Sequence, residues 1–232
     1  MSEWWTYTLS DLLMFAPRTY YRLFELYNAE VWPLQLVALA LGANIVWLVW
    51  RDTRASGPIV CVILAAVWLF VAWAYHWRRF AVINWGAEYY AIGFALEALL
   101  LIAFGVLNRI RFRRGAGAPD GIALALLAVG LLYPLIALLA GRPLRQSEVF
   151  GIAPDPTAIA TLGALLLASG RRWVLMVLPI LWCAISAATL WTMDTVEMLI
   201  PAAVIIAVVV AAWRSHRHAA ASSPEKANQL NP

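Results

Sequence analysis

Charged residues are scarce in this 232-residue chain, and lysine is almost absent. Only 13% of the residues are Asp, Glu, Lys or Arg, whereas 63% are hydrophobic; soluble domains carry roughly 25% charged residues. The single lysine, Lys226, lies outside the apolar segments, so no membrane-embedded lysine could form a Schiff base with a cofactor such as retinal. This composition excludes a soluble enzyme and indicates a polytopic α-helical membrane protein.

Cysteine is also rare, and the common enzymatic motifs are missing. Cys61 and Cys183 lie in different apolar segments, and neither belongs to a Cys-x-x-Cys pair, so the sequence predicts neither a disulfide framework nor a thiolate metal site. The chain has no Walker loop, no dinucleotide-binding glycine pattern, no His-Glu-x-x-His and no Gly-x-Ser-x-Gly. We therefore expect a protein that is not an enzyme and has no cofactor and no metal.

Long apolar runs dominate what is present. A transmembrane helix needs about 20 predominantly apolar residues, because the hydrocarbon core is about 30 Å thick. Two prolines, Pro154 and Pro156, break the fifth run. The sequence thus predicts an all-α polytopic membrane bundle of seven transmembrane helices with a proline-broken fifth segment. The runs cover residues 31–50, 58–77, 86–107, 121–140, 149–169, 173–191 and 196–213.

The segment before the first run, residues 10–28, has the pattern of an amphipathic helix. Pro17 suits a first helical position, and apolar residues then recur with helical spacing at Tyr20, Leu23, Phe24 and Tyr27. Such a helix either lies in the membrane interface or packs on the outer mouth of the bundle. We therefore divide the chain into an interfacial segment 1–30, a transmembrane domain 31–213 and a disordered tail 214–232.

Basic residues are distributed unevenly between the two ends of the predicted helices. Six arginines lie on the side of the N-terminus, and ten arginines with Lys226 lie on the other side. Because basic loops stay in the cytoplasm, we expect the N-terminus outside and the C-terminus inside. These residues are spread over short loops, so a nucleic-acid partner is not expected.

Four stretches of the chain together resemble a known family: residues 15–33, 75–77 with Asn84, 150–157 and 179–182. The most specific are Tyr-Asn followed by Trp-Pro near residue 30, and Phe-Gly-Ile-Ala-Pro-Asp-Pro-Thr at 150–157. The chain resembles the bacterial multi-pass membrane family called domain-of-unknown-function family 6064 over nearly its whole length. The resemblance implies a bacterial inner-membrane protein, in a family sometimes described as permease-like, without an established activity. Asp155 stands where the family typically has cysteine.

Asp155 and Thr157 form the strongest candidate site. Short, proline-interrupted segments often mark transporter sites, and the half-helix beginning near Pro156 would present free N–H groups. The alternative is structural: Asp155 would cap the helix by accepting an N–H from Thr157 or Ala158, with a break at residues 153–156.

Three further ionisable residues are candidates. Glu97 lies deep in the third run, where a carboxylate costs roughly 2.5–3.5 kcal/mol on insertion scales; we expect it to face the bundle interior with a polar partner or water. Glu88 and His76 flank the second loop and could bind a cation together, although the neighbouring arginines favour a structural network.

The sequence supports two functions. The first is a small-solute or ion permease-like transporter, with a site in the outer half near the broken fifth segment formed by Asp155, Thr157, Glu97, Glu88 and His76. The alternative is a non-catalytic membrane subunit that binds or assembles a partner complex. The expected partners are the lipid bilayer, a small solute or cation, and a membrane protein or a second copy of the chain.

Overall fold

The computed structural model describes residues 16–51, 53–112, 119–170 and 172–228, with the backbone only for residues 119–120, 216 and 218–228. Helices make up 81% of the described residues. The helices are α1 (Pro17–Glu30), α2 (Leu34–Arg51), α3 (Ser56–Phe70), α4 (Ala87–Val106), α5 (Pro119–Leu132), α6 (Pro134–Leu139), α7 (Pro154–Leu167), α8 (Arg172–Thr192) and α9 (Leu199–Asn228). A π-helix, Val71–Trp77, continues α3, and short 3-10 turns cover Phe80–Val82, Leu144–Gln146 and Val196–Met198.

Five helical stretches of the described chain are long and apolar enough to cross a membrane. Their bounds are Leu34–Arg51, Ser56–Val82, Ala87–Val106, Arg172–Thr192 and Val196–Ser215. The expectation of membrane-length apolar helices is confirmed, but the predicted count of seven is not. The fourth run is divided into α5 and α6 at Tyr133, because Pro134 begins a new helix. In the fifth run, α7 has 14 residues, which is about 21 Å of helix.

Helix α7 is the central element of the bundle. It packs against α5, α8, α9, α3 and α2, and every residue from 147 to 166 is buried. The buried run comprises an irregular leader, residues 147–153, followed by the first 13 residues of the helix. A helix that is apolar all round is buried on all sides. The short fifth segment is therefore enclosed by the other helices rather than exposed to lipid.

Helix α1 begins at Pro17, as the sequence predicts, and packs on the mouth of the bundle. Its buried side chains are Tyr20, Phe24 and Tyr27. The Phe24 ring stacks on Tyr75 at the end of α3, with centroids 5.2 Å apart. Of the two placements that the sequence left open, the structure has the packed one for residues 17–30; residues 1–15 lie outside the described part of the chain.

Two further features of the structure were not predicted from the sequence: a short β-ladder and a longer last helix. A short antiparallel ladder joins β1 (Ile110–Phe112) to β2 (Ala168–Gly170), so the ends of α4 and α7 lie on the same side of the bundle. Helix α9 runs to Asn228, although the sequence predicts a disordered tail from residue 214. Alanine, glutamate and lysine in this stretch are strong helix formers, which extends the helix; residues 229–232 lie outside the described chain.

Two glycines allow α5 and α7 to touch backbone to backbone. A Cβ atom added at Gly163 of α7 would lie 2.5 Å from the Leu127 nitrogen and 2.8 Å from the Ala123 oxygen of α5. A Cβ atom at Gly130 of α5 would lie 2.7 Å from the Ala160 nitrogen and 2.8 Å from the Pro156 oxygen. Small residues are what permits close helix contact in membranes.

We predict that Gly163→Ala destabilises the protein by about 1–3 kcal/mol, because the added methyl group forces the α5 and α7 backbones apart. The matched control is Gly93→Ala in α4, where a Cβ atom meets nothing within 4 Å. Thermal unfolding in detergent, followed by tryptophan fluorescence, should show a lower midpoint for Gly163→Ala only. Equal midpoints for the two variants would contradict the close α5–α7 contact.

Candidate functional site

The carboxyl group of Asp155 is buried in the bundle and accepts hydrogen bonds from two other helices. Trp182 Nε1 of α8 donates to Oδ1 at 2.7 Å, and Ser186 Oγ of the same helix donates to Oδ2 at 2.5 Å. Tyr133, at the α5–α6 break, places its hydroxyl 3.5 Å from Oδ2. Asp155 is 2% exposed. A carboxylate in an apolar interior needs such donors, because burying an unpaired charge is costly.

The capping prediction for Asp155 is wrong. Helix α7 has Ala153 at its N-cap, Pro154 at its first position and no side-chain cap, so the break falls within residues 153–156 as expected, but Asp155 is already inside the first turn. From there its side chain reaches α8 rather than the free N–H groups of its own helix. Trp182 and Ser186 are spaced i, i+4 and therefore lie on one face of α8, so both can donate to Asp155 at once.

Thr157 is also buried, and it stabilises the irregular leader. Its Oγ1 donates to the Ala153 carbonyl at 2.6 Å and accepts the Gly151 N–H at 2.9 Å. Gly151 has a φ of +74°, a conformation that glycine adopts without steric cost. The Thr157 hydroxyl thus satisfies the Gly151 N–H, a backbone donor of the buried leader. It lies two residues from Asp155, but none of the described hydrogen bonds joins the two side chains.

A second buried acid, Glu148, lies within electrostatic range of Asp155, Arg142 and Glu197. It is 5% exposed, and its Oε2 has no hydrogen-bond partner among the described residues. Glu148 lies in the leader to α7, outside the membrane-length helices.

Arg142 and Glu197 form an ion pair beside these two acids. Arg142 donates from Nε at 3.0 Å and from Nη2 at 2.6 Å, both to Glu197 Oε1. Tyr21 donates its hydroxyl to Glu197 Oε2 at 2.9 Å, and its ring lies 3.9 Å below the Arg142 guanidinium. Arg142 Nη1 also donates to the Gln146 carbonyl at 3.0 Å. The pair therefore ties the start of α9 to α1 and to the loop before α7.

Glu97 faces the bundle interior, as predicted, and the described side chains provide no polar partner for it. It is fully buried on α4, and neither carboxyl oxygen has a hydrogen-bond partner among the described residues. Phe94, one turn away on the same face, contacts the Trp68 ring at 4.3 Å. No described hydrogen bond or ion pair connects Glu97 with Asp155, so the structure does not join the two into one site.

The structure does not bring His76 and Glu88 together. His76 lies in the π-helix and is fully buried among aromatic rings, with centroid distances of 4.5 Å to Phe94 and 4.9 Å to Trp182. Its two ring nitrogens have no hydrogen-bond partner in the described part of the chain. Glu88 is exposed in the first turn of α4. His76 instead packs against the ring whose N–H binds Asp155.

Three partners of Asp155 were not among the candidates from the sequence: Trp182, Ser186 and Tyr133. A signal for Trp182 was present, because it lies in the middle of an apolar run, unlike the tryptophans at the ends of the runs. A buried indole usually needs an acceptor for its N–H.

Within the described residues, no three of His, Cys, Asp and Glu are arranged as a metal site would require.

The model of a family described as "Family of unknown function (DUF6064)" matches residues 18–222. The chain belongs to this family, as the resemblance in the sequence indicated. The match includes every residue of the Asp155 cluster, from Tyr21 to Glu197. No curated protein and no solved structure matches the chain.

We predict that Asp155→Asn keeps the fold, whereas Asp155→Ala destabilises it by about 2–4 kcal/mol. An asparagine can accept from Trp182 through its oxygen and donate to the Ser186 hydroxyl through its amide. An alanine leaves the Trp182 N–H and the two hydroxyl groups without their acceptor, which costs roughly 1–3 kcal/mol for each orphaned group, less whatever the hydroxyls recover elsewhere. Thermal unfolding of both variants tests this, with Glu88→Ala at an exposed carboxylate as the control. Equal stability of Asp155→Ala and the parent protein would contradict the hydrogen-bond arrangement.

We predict that Thr157→Val destabilises the protein by about 1–3 kcal/mol, because the buried Gly151 N–H loses its hydrogen-bond partner. Thr157→Ser keeps the hydroxyl and should lose less than half as much. The comparison is made by thermal unfolding, with Thr189→Val in α8 as the control, since the Thr189 hydroxyl donates only to the Ile185 carbonyl of its own helix. A valine variant as stable as the serine variant would show that the hydroxyl does not stabilise the leader.

Proposed function

We propose that the protein is a permease-like carrier of the bacterial inner membrane, which binds a proton or a monovalent cation at Asp155 and Glu148 in the outer half of the bundle. The observation that carries this proposal is that the buried acidic side chains outnumber the basic ones. Asp155, Glu148 and Glu197 are three acids within electrostatic range of one another, and Arg142 is the base described among them. Arg142 is already paired with Glu197.

The remaining two carboxyl groups cannot both be ionised at low cost. The donors around Asp155 are an indole and two hydroxyl groups, which stabilise one negative charge without neutralising it. A second negative charge on Glu148 would be buried beside the first, with one oxygen unpartnered. A proton or a small cation bound between the two acids removes this repulsion. A monovalent ion fits better than a divalent metal, which prefers six or more oxygen ligands.

A groove lies beside the Arg142–Glu197 pair. It has a volume of about 700 Å³ and lies between α6, the start of α9 and Tyr21, and its polar wall includes Arg142 and Glu197. Its remaining wall is mainly aliphatic, from Ile136 and Leu139 to Ile200. Transporters commonly place their sites at broken helices near such cavities. Helix α6, which begins at the break after Tyr133, contributes Ile136 and Leu139 to the wall of this groove.

The proposal includes seven membrane crossings, with the N-terminus outside and the C-terminus in the cytoplasm. Helices α5 and α6 together would make the fourth crossing, and the leader with α7 the fifth. The β1–β2 ladder supports this topology, because it puts the ends of α4 and α7 on one side. The Arg142–Glu197 pair joins the loop after α6 to the start of α9 at the other side. The count of basic residues assigns the ladder side to the cytoplasm.

We predict that Asp155→Asn and Glu148→Gln each abolish cation movement in proteoliposomes while the protein remains folded. The purified chain is reconstituted with an internal pH-sensitive dye, and proton entry is followed after a pH jump, with potassium and valinomycin to clamp the membrane potential. A parallel measurement follows the thermal unfolding midpoint in NaCl, KCl and choline chloride. Glu88→Gln, which changes an exposed carboxylate, is the control and should behave like the parent protein.

Three outcomes would oppose the proposal. Flux equal to that of protein-free liposomes, together with a midpoint that neither pH nor cation changes, would exclude proton and cation binding at these acids. A membrane protein that co-purifies with the chain in fixed proportion, without any flux, would favour the alternative function of a non-catalytic subunit. Flux that persists in both Asp155→Asn and Glu148→Gln would place the pathway elsewhere.

A further inference from the structure

A second groove lies at the same end of the bundle and is independent of the Asp155 cluster. It has a volume of about 770 Å³ and runs between α1 and the 3-10 turn Phe80–Val82. Three exposed tryptophans, Trp32, Trp77 and Trp85, surround this end of the bundle, at the start of α2, the end of the π-helix and the start of α4. Tryptophan prefers the headgroup level of a membrane, so the groove lies at the depth of the lipid headgroups.

The groove carries charges of both signs. Arg79 is paired with Glu30, and Arg22 with Glu25 at 2.6 Å. Arg18 also lines the groove and has no ion-pair partner among the described residues. The side chains of Arg22 and Glu30 remain more than half exposed, so both can bind a further group. The lining thus has three arginines and two glutamates, and it can bind a group that itself carries both signs of charge.

Apolar side chains border these charges. Leu26 is 56% exposed, and Val82 is 80% exposed; both line the groove. A free inorganic ion would leave these side chains in water, whereas the glycerol and the first methylene groups of a lipid would cover them. The combination of charged and apolar lining therefore favours a lipid over a soluble phosphate.

We propose that this groove binds the headgroup of phosphatidylethanolamine, with the phosphate at Arg18 and Arg79 and the ammonium at Glu30. Arginine is the side chain best suited to a phosphate, because its planar fork donates two parallel hydrogen bonds. A primary ammonium can donate hydrogen bonds to the Glu30 carboxylate, whereas the quaternary ammonium of phosphatidylcholine cannot. Phosphatidylglycerol brings a negative charge without a cation, so it offers no ammonium group to the half-exposed Glu30.

The test is native mass spectrometry of the full chain in detergent, with equal amounts of phosphatidylethanolamine, phosphatidylglycerol and phosphatidylcholine of the same acyl chains. The expected result is preferential retention of phosphatidylethanolamine. Arg18→Gln should weaken this binding about tenfold, which corresponds to one lost contact of about 1.4 kcal/mol. Arg18 is exposed and unpaired in the described structure, so this variant should keep its unfolding midpoint.

Glu30→Gln tests the ammonium contact independently of the phosphate contact. It should abolish the preference for phosphatidylethanolamine over phosphatidylglycerol, while binding of both lipids through the arginines continues. Arg54→Gln, at an exposed arginine on the opposite end of the bundle, should change nothing. Equal retention of the three lipids by the parent protein would overturn the proposal. So would full displacement of the lipid by inorganic phosphate, which would identify a soluble-anion site, or an Arg18→Gln variant that binds like the parent protein.

Discussion

Backbone hydrogen bonding in the leader to α7 is the constraint on which the rest of the structure depends. In an apolar surrounding, irregular backbone is tolerated only where the protein covers it and satisfies its polar groups. Residues 147–153 are irregular and buried. Asn28 Nδ2 donates to the Ser147 carbonyl at 2.8 Å, and the Tyr27 hydroxyl donates to the Ile152 carbonyl at 3.2 Å. Helix α1 is thus part of the core, because it supplies hydrogen bonds that the leader lacks.

The same constraint explains where Asp155 lies. Thr157 bonds to the leader and fixes the start of α7 at Pro154, one residue before Asp155. The glycine contacts between α5 and α7 then bring the Tyr133 end of α5 close to this first turn. Helix α8 completes the site with Trp182 and Ser186 on one face. The Asp155 carboxylate is therefore enclosed by the first turn of α7, the end of α5 and one face of α8. Helix packing positions these three elements, and the carboxylate does not.

The sequence predicted those features that depend on local composition. Apolar length identified the five membrane-length helices, and Pro17 with its helical spacing identified α1. The break at residues 153–156 followed from proline, which lacks an N–H and restricts the residue before it. These signals arise within a few residues of the element that they describe, so an unaligned sequence contains them.

Features that depend on long-range contacts could not be predicted in the same way. Trp182 and Ser186 are 27 and 31 residues from Asp155, and no local pattern in an apolar run shows which face of α8 meets α7. Similarly, an apolar segment of 14 residues has the same composition whether it faces lipid or the other helices. Glu148 lies in an irregular segment, so no helical periodicity in the sequence indicates that it is buried. The capping prediction for Asp155 was wrong for this reason: it considered only donors that are close in sequence.

The Arg142–Glu197 pair connects the buried acids with the surface and limits how the bundle can open. Both side chains are largely buried, at 15% and 11% exposed, so removing one would leave the other charge poorly solvated. Arg142 also bonds to the Gln146 carbonyl and stacks on Tyr21, which joins α1, the loop before α7 and the start of α9. Any movement that widens the groove beside α6 must separate these groups together. Arg142 also lies within electrostatic range of the buried Glu148, so the charge of this one guanidinium influences both the ion pair at the surface and the acid in the leader.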